Sequence, residues 1–255
     1  MSRQRVRLDQ ALVERGLAAS RSQAQALVMA GKVFSRERRL DKPGHAVAAD
    51  QPLEVRGEVH PWVSRGGLKL AHGLEHFGLN VAGAVALDIG ASTGGFTDVL
   101  LANGAARVYA VDVGRAQLAW KLRQDPRVIV LEGVNARHLT PDQVPEAVDL
   151  VVCDASFIGL QVVLPAALAL ARPGARLIAL IKPQFEVGRG RVGKGGVVRD
   201  PALHEEVVAR IRDWLEADMG WRVLGVAESP ITGAEGNREF LICARKAEGP
   251  ADGGG

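Results

Sequence analysis

The chain has 255 residues, 47% of them hydrophobic, which is enough to close a full core and excludes global disorder. Its net charge is only +3, but the excess is local: residues 1–60 carry 11 Lys and Arg against 7 Asp and Glu, and the remainder 21 against 22. The first quarter of the chain is therefore expected to meet an acidic partner, with nucleic acid the leading candidate.

The two cysteines, Cys153 and Cys243, lie in apolar runs without metal-ligand spacing, which suits a reducing, cytoplasmic setting. The opening MSRQRVRLDQ has no apolar signal core. The most apolar stretch, 155–171, is short for a membrane span and holds Gln161 and Pro165. It reads as a strand end leading into a core helix, so no membrane partner is expected. His72 and His76 stand at i and i+4, but without a third ligand nearby they predict no metal.

In chain order, residues 5–60 form a separate small module. RLDQALVERGL places Leu8, Ala11, Leu12 and Val13 at helical spacing before Gly16, and SRSQAQALVMAGKV carries Ala24, Leu27 and Val28 behind a Ser20 cap. Short strands and turns follow. R-L-D-x-A-L, S-R-x-x-A and A-G-x-V together resemble the RNA-binding domain first known from ribosomal protein S-four. That resemblance implies that Arg7, Arg21, Ser22, Gln25 and Lys32 face RNA backbone. The chain departs from the usual V-x-V-N-G by reading V-F-S-R-E-R-R, which leaves the strand register there open. The expected layout is an RNA-binding domain at 1–58, a linker at 59–66 stiffened by Pro61, a catalytic domain at 67–246 and a disordered tail at 247–255.

From Ala84 onward, apolar runs alternate with helical patterns. Strands are expected to Asp88 and at 107–113, 127–131, 148–154 and 175–181, with helices at 95–103, 115–123 and 160–171. A helix begins at Pro201 behind Asp200, and two strands joined by a polar loop close the domain. This predicts an α/β, Rossmann-like sheet of seven strands, mostly parallel with the last antiparallel, beside a small N-terminal α+β domain.

The first βα unit, AVALDIGASTGGFT, bends through Gly90, Gly94 and Gly95 into a helix whose free N–H groups favour an anionic or polar ligand. Asp112 ends the next strand, where an acid usually receives ribose hydroxyls. The D-x-G-x-x-x-G-G spacing is not the dinucleotide fingerprint. A literal G-x-G-x-x-G at 188–193 has no helix pattern directly after it and is set aside. The spacing resembles that of S-adenosylmethionine-dependent methyltransferases, particularly those that act on RNA ribose. By that resemblance Asp88, Gly90, Ser92, Thr93, Gly94, Gly95, Asp112 and Asn135 would hold S-adenosylmethionine.

Asp154 follows one sheet strand and Lys182 the next, so both emerge at the carboxyl edge; Glu239 begins the last strand, and Lys69 lies on the helix before the sheet. The chain is strongly biased to Arg, with 7 Lys against 25 Arg, so a lysine at the active edge hints at a task arginine cannot do. Lysine can be made to lose its proton, whereas arginine stays charged.

The strings H-P-W-V-S-R-G-G-x-K-L, D-I-G-A-S-T-G-G-F-T, D-V-G-x-x-Q-L-A-W, C-D-A-S-F-I, I-K-P-Q-F-E and G-N-x-E-F span nearly the whole chain. With them the chain resembles the TlyA family of RNA ribose 2′-O-methyltransferases. The resemblance implies a catalytic tetrad of Lys69, Asp154, Lys182 and Glu239, ribosomal RNA as partner and no metal. D-A-S-F also lacks the prolines with which amino-group methyltransferases hold a planar nitrogen, which favours oxygen as acceptor. Arg65, and Arg189, Arg191 and Lys194 in the glycine-rich stretch 186–199, are further candidate RNA contacts, the stretch being expected as a mobile lid. Two other readings remain. A membrane-active haemolysin, a name that family has carried, finds no span or strongly amphipathic surface helix in support; an RNA-binding protein with a dead catalytic domain is opposed by the intact tetrad. Monomer and dimer stay open.

Overall fold

The computed structural model describes residues 5–18, 20–29, 31–56 and 60–248, apart from the side chain of Arg189. The expected tail from 249 and residues 57–59, at the boundary of the expected linker, lie outside the described residues. The chain divides into two compact units, Met1–Pro61 and Trp62–Gly255. Residues 62–66, expected in the linker, pack within the second unit: Val63 N–H donates to Asp98 Oδ2 at 2.8 Å, and a Cβ on Gly67 would lie 2.4 Å from the Trp62 ring.

The first unit comprises β1 (Arg5–Arg7), α1 (Leu8–Glu14), α2 (Arg21–Met29), β2 (Val33–Ser35), β3 (Arg38–Arg39), β4 (Ala46–Ala48) and β5 (Glu54–Val55). Ser20 Oγ accepts the Gln23 N–H at 3.2 Å, the expected cap, and the helical spacing buries Leu8, Leu12, Ala24 and Val28 against Val33 and Val47. The register left open by V-F-S-R-E-R-R resolves into a β2–β3 hairpin pairing Phe34 with Arg39, with Arg36 taking the left-handed turn at φ +52°.

The second unit comprises α3 (Gly66–His76), β6 (Val85–Ile89), α4 (Gly95–Ala102), β7 (Arg107–Asp112), α5 (Trp120–Arg123), β8 (Val128–Glu132), β9 (Val148–Cys153), α6 (Leu160–Val163), α7 (Pro165–Ala169), β10 (Ala171–Ile181), α8 (Pro183–Glu186), α9 (Pro201–Asp213), β11 (Trp221–Glu228) and β12 (Phe240–Lys246). The seven strands run in the order β11-β12-β10-β9-β6-β7-β8, and β12 alone is antiparallel to its neighbours. Strand alternation sends Leu87, Ile89, Val151 and Leu177 to one buried face and Ala86, Val108, Val152 and Ile178 to the other. Both faces are covered, so the strands read as continuous apolar runs. Truncating one of these, such as Ile178→Ala, costs about 2–5 kcal/mol.

Two expected helices are shortened for identifiable reasons. The helix expected at 115–123 forms only at 120–123. The N–H groups of Ala116, Gln117 and Leu118 are instead taken by the Glu132 carboxylate at 2.8–3.1 Å, and that of Gly114 by Asp112 at 2.7 Å. The helix expected at 160–171 is split into α6 and α7 because Pro165 has no N–H to give, and Ala171 already belongs to β10. Asp200 caps α9 as expected, its carboxylate accepting the Ala202 N–H at 3.0 Å.

The strand order reverses between β6 and β9, and crevices at the carboxyl ends of strands on either side of such a point bind ligands. Asp88, Asp112, Asp154 and Lys182 all reach that edge. Because β12 runs antiparallel, with Phe240 opposite Ile181, its first residues reach the same edge and deliver Glu239.

Candidate active site

Lys69 from α3, Asp154 after β9, Lys182 after β10 and Glu239 before β12 converge into a single chain of charges. Lys69 Nζ lies 2.7 Å from Glu239 Oε2 and 3.5 Å from Asp154 Oδ1, and Lys182 Nζ lies 2.7 Å from Asp154 Oδ1. Lys182 also donates to the Asp154 carbonyl oxygen and to Ser156 Oγ, each at 2.9 Å. Lys69, Lys182 and Glu239 are buried, while Asp154 is 19% exposed and forms the open side. Two cations against two carboxylates leave the buried group neutral overall, the condition under which charges are tolerated away from water.

Two cavities meet at this group. The larger, of 750 Å³, is lined by Lys69, Lys182, Glu239 and the 232–236 loop; the other, of 480 Å³, by Asp112, Asn135 and the apolar walls Val111, Val134 and Ile158. They share Gly90, Ser92, Asp154, Ser156 and Phe157. A donor in one cavity and an acceptor in the other would therefore face each other across Asp154.

The smaller cavity fits S-adenosylmethionine on two observations, the Gly90 turn and the apolar walls beside Asp112 and Asn135, whereas Asp88, expected among the cofactor residues, lines neither cavity. Asp88 is fully buried, and its Oδ1 has no partner while Oδ2 accepts from Thr97 Oγ1 at 2.7 Å. Burial pushes its carboxyl up to about 7, and it serves to tie β6 to α4 through Thr97. Gly90 sits at φ +77° with its missing Cβ only 2.8 Å from the Ala155 backbone, so no other residue fits the turn. Apolar walls beside Asp112 and Asn135 match an adenine next to a ribose.

Not every expected residue touches that cavity. Ser92, at φ +48°, has its N–H held by Asp112 at 2.8 Å. Each Asp112 oxygen spends one lone pair on the loop and keeps another for a ligand. Asn135 lines the cavity but also caps the next turn, accepting the Arg137 N–H at 3.1 Å. Thr93 and Gly95 line the tetrad cavity instead, and Gly94 lines neither: its Cβ would meet Leu122 at 2.2 Å, and that of Gly95 would meet Ser64 Oγ at 2.3 Å. Both glycines are required by close packing of the chain against itself, and Gly95 also lines the tetrad cavity.

In the first unit, Arg7, Arg21 and Gln25 converge on one fully buried carboxylate. Asp9 accepts from Arg7 at 3.0 and 2.9 Å, from Arg21 at 3.3 Å and from Gln25 at 2.9 Å. The Arg7 guanidinium above all holds the Asp9 carboxyl far below the usual range. The two arginines remain more than half exposed, so they stand as a fixed cationic pair. Ser22 is exposed on the same helix as Arg21, and Lys32 is half-buried. Arg65 is exposed at the rim of the tetrad cavity and donates to the Thr232 carbonyl. Arg191 is engaged in a two-point ion pair with Glu206, at 2.5 Å for each bond, Lys194 is exposed, and the Arg189 side chain lies outside the described residues. The stretch 186–199 forms two short 3-10 turns, anchored by buried Val187, Val197 and Val198.

Sequence reasoning missed Phe157. It is 89% exposed at φ +67°, a conformation strained for an aromatic residue, and its ring lies 5.1 Å from that of Phe185 at the junction of the two cavities. Its place within C-D-A-S-F-I was the available signal.

A sheet of this order, with an orphaned acid and a glycine turn at its switch point and a charge tetrad beside it, defines an S-adenosylmethionine-dependent methyltransferase. The model of the FtsJ-like methyltransferase family matches residues 62–246, and the S4 domain model matches residues 6–51. The chain belongs to the FtsJ-like methyltransferase family, with an S4 domain ahead of it. It is 51% identical over 242 residues to the 16S/23S rRNA (cytidine-2′-O)-methyltransferase TlyA of Mycobacterium tuberculosis (94% of this chain, 90% of that protein). It is 39% identical over 237 residues to Hemolysin A of Brachyspira hyodysenteriae (92% and 98%). A solved structure from Streptococcus thermophilus bearing a hemolysin name aligns with a TM-score of 0.74 at 44% identity, over 98% of this chain and 91% of that one. The resemblance to the TlyA family is thus borne out. Among the described residues no helix is long and apolar enough to cross a membrane.

Proposed function

We propose that this protein transfers a methyl group from S-adenosylmethionine to the 2′-hydroxyl of a cytidine in ribosomal RNA, acting in the cytoplasm. The observation that carries the reading is the 2.7 Å contact of Lys182 with Asp154 where the two cavities meet. The TlyA name of a relative 51% identical supports the acceptor.

When bound, S-adenosylmethionine supplies a methyl group on a positively charged sulfur. Gly90, Asp112 and Asn135 would hold it, and Asp88 ties the Gly90 turn to α4 through Thr97. A ribose hydroxyl is a weak nucleophile, so the protein must align it and remove its proton as the new bond forms. Lys182 must first give up one ammonium proton to solvent; its neutral Nζ then takes the hydroxyl proton as the new oxygen–methyl bond forms and the methyl–sulfur bond breaks. Asp154 fixes the direction of Lys182, and Lys69, held by Glu239, hydrogen-bonds the ribose and shields the paired carboxylates from each other. Phe157 offers the acceptor base a ring to stack on, with Phe185 behind it. The S4 domain grips RNA backbone through Arg7 and Arg21, which gives affinity without specifying sequence; Arg65 at the cavity rim and Arg189 and Lys194 on the glycine-rich stretch add contacts.

The reading is tested by incubating the protein with ribosomal subunits and methyl-labelled S-adenosylmethionine, then digesting the RNA to nucleosides. Label in 2′-O-methylcytidine is the expected result; label on a base, or none, rejects it. Leakage of liposomes at low protein concentration, indifferent to S-adenosylhomocysteine, would favour the haemolysin reading instead.

A further inference from the structure

Asn237 is 2% exposed and satisfied on every side. Its Oδ1 accepts the Val198 N–H at 3.1 Å, and its Nδ2 donates to the carbonyl oxygens of Gly196 and Ala234, each at 3.0 Å. An N–H on one side and two carbonyls on the other fix the amide's orientation. Its backbone closes the same loop, accepting the Gly233 N–H at 2.8 Å and donating to Ala234 at 3.1 Å.

The two segments it joins have different duties. Gly196 and Val198 end the basic glycine-rich stretch, two and four residues from exposed Lys194; the Val198 carbonyl is held in turn by His204 Nε2 at 2.9 Å. Residues 232–236 wall the tetrad cavity and press on Glu239, for a Cβ on Gly233 would lie 2.0 Å from Glu239 Oε1. Glu239 in turn holds Lys69. One buried amide thus bonds both the basic stretch and the loop that borders a tetrad carboxylate.

Resting on the methyltransferase reading above, we propose that Asn237 is a positioning residue that couples seating of RNA on the 189–196 stretch to placement of Glu239 and Lys69. It touches no reacting atom and acts only through that loop.

The experiment measures methyl transfer to ribosomal subunits, affinity for S-adenosylmethionine and thermal midpoint for the wild type, Asn237→Ala, Lys194→Ala and the double variant. The expected result is a fall of about tenfold or more in kcat for Asn237→Ala, with KM for RNA and cofactor affinity within about threefold. Lys194→Ala should raise KM for RNA in both backgrounds but lower kcat only where Asn237 is present. Retained kcat in a folded Asn237→Ala protein, a parallel loss of cofactor affinity, or an equal effect of Lys194→Ala on kcat in both backgrounds overturns the coupling. Hydrogen exchange on the unmutated protein needs no variant to fold. Ribosomal RNA should raise protection at 189–199 and 232–239 together, whereas protection at the first stretch alone overturns the proposal. A wild type that binds RNA with joint protection but transfers no methyl rejects the enzymatic reading and leaves the coupling supported; an active wild type with independent segments does the reverse.

Discussion

Lys69 and Glu239, 170 residues apart in the chain, meet at 2.7 Å with both side chains buried, and this pair ties α3 to the start of β12. Removing one charge of a buried pair leaves the other uncompensated, at about 3–5 kcal/mol. Glu239→Gln should therefore lower the thermal midpoint by several degrees and reduce methyl transfer at the same time. Asp154→Asn, at the partly open side of the tetrad, should reduce transfer with a smaller loss of stability. Calorimetry alongside labelled-methyl transfer separates the two.

Asp88 makes the ligand-free protein sensitive to pH. Burial raises its carboxyl to about 7, so the folded chain keeps a proton that the unfolded chain has already lost above pH 4. The folded state thus binds more protons between about pH 4 and 7, and the contribution of this group to stability falls as pH rises through that window. Asp88→Asn keeps an acceptor for Thr97 and removes the charge. Its ligand-free form should be more stable than wild type at pH 8, by about 1–3 kcal/mol in denaturant melts. Its affinity for S-adenosylmethionine should fall less than that of Asp112→Asn, because Asp112 lines the cofactor cavity and Asp88 does not.

Glu132 organises the loop that stands in place of the expected helix. Arg123 and the three loop N–H groups hold its carboxyl down at about 2. Its contribution is present in full above about pH 4.5 and is lost as pH falls toward 2. Glu132→Gln replaces an acceptor oxygen with a donor and should cost about 1–3 kcal/mol. Because Gly114 and Gln117 of this loop line the cofactor cavity, cofactor affinity measured by calorimetry should fall with it.

Arg7 and Arg21 share Asp9, so their contributions to RNA binding should be coupled. Each single change to Ala should reduce the slope of log affinity against log salt by about 0.7–0.9 for every phosphate left unneutralised. The double variant should lose less than the sum, since the survivor has already lost the partner that completes the site. Cofactor affinity should not change. Filter binding across a salt series measures both points.

The parallel strands were legible in the sequence because a doubly covered sheet leaves apolar runs, and Asp88, Asp112, Asp154 and Lys182 all sit where those runs stop; the tetrad as a set, with Lys69 and Glu239, came from the family resemblance. Features set by distant partners were not legible. The helical pattern at 115–119 loses to a carboxylate from β8, which no local spacing reveals. Gly94 and Gly95 read as ligand-facing glycines, yet Leu122 and Ser64 occupy the space their side chains would need. The candidate RNA contacts Arg7, Arg21 and Gln25 came from the S4 resemblance, and their convergence on Asp9 depends on β1, α1 and α2 meeting at one point. Phe157 reads as a core residue from composition alone, and only a strained backbone turns it outward.

The central claim is that Lys182 removes the ribose proton, and single-turnover methyl transfer by Lys182→Arg, with cofactor affinity measured on the same preparation, tests it most directly. The predicted result is a loss of transfer of about a hundredfold or more with cofactor affinity preserved, because a guanidinium keeps the positive charge but accepts no proton. Transfer at the wild-type rate would contradict the account.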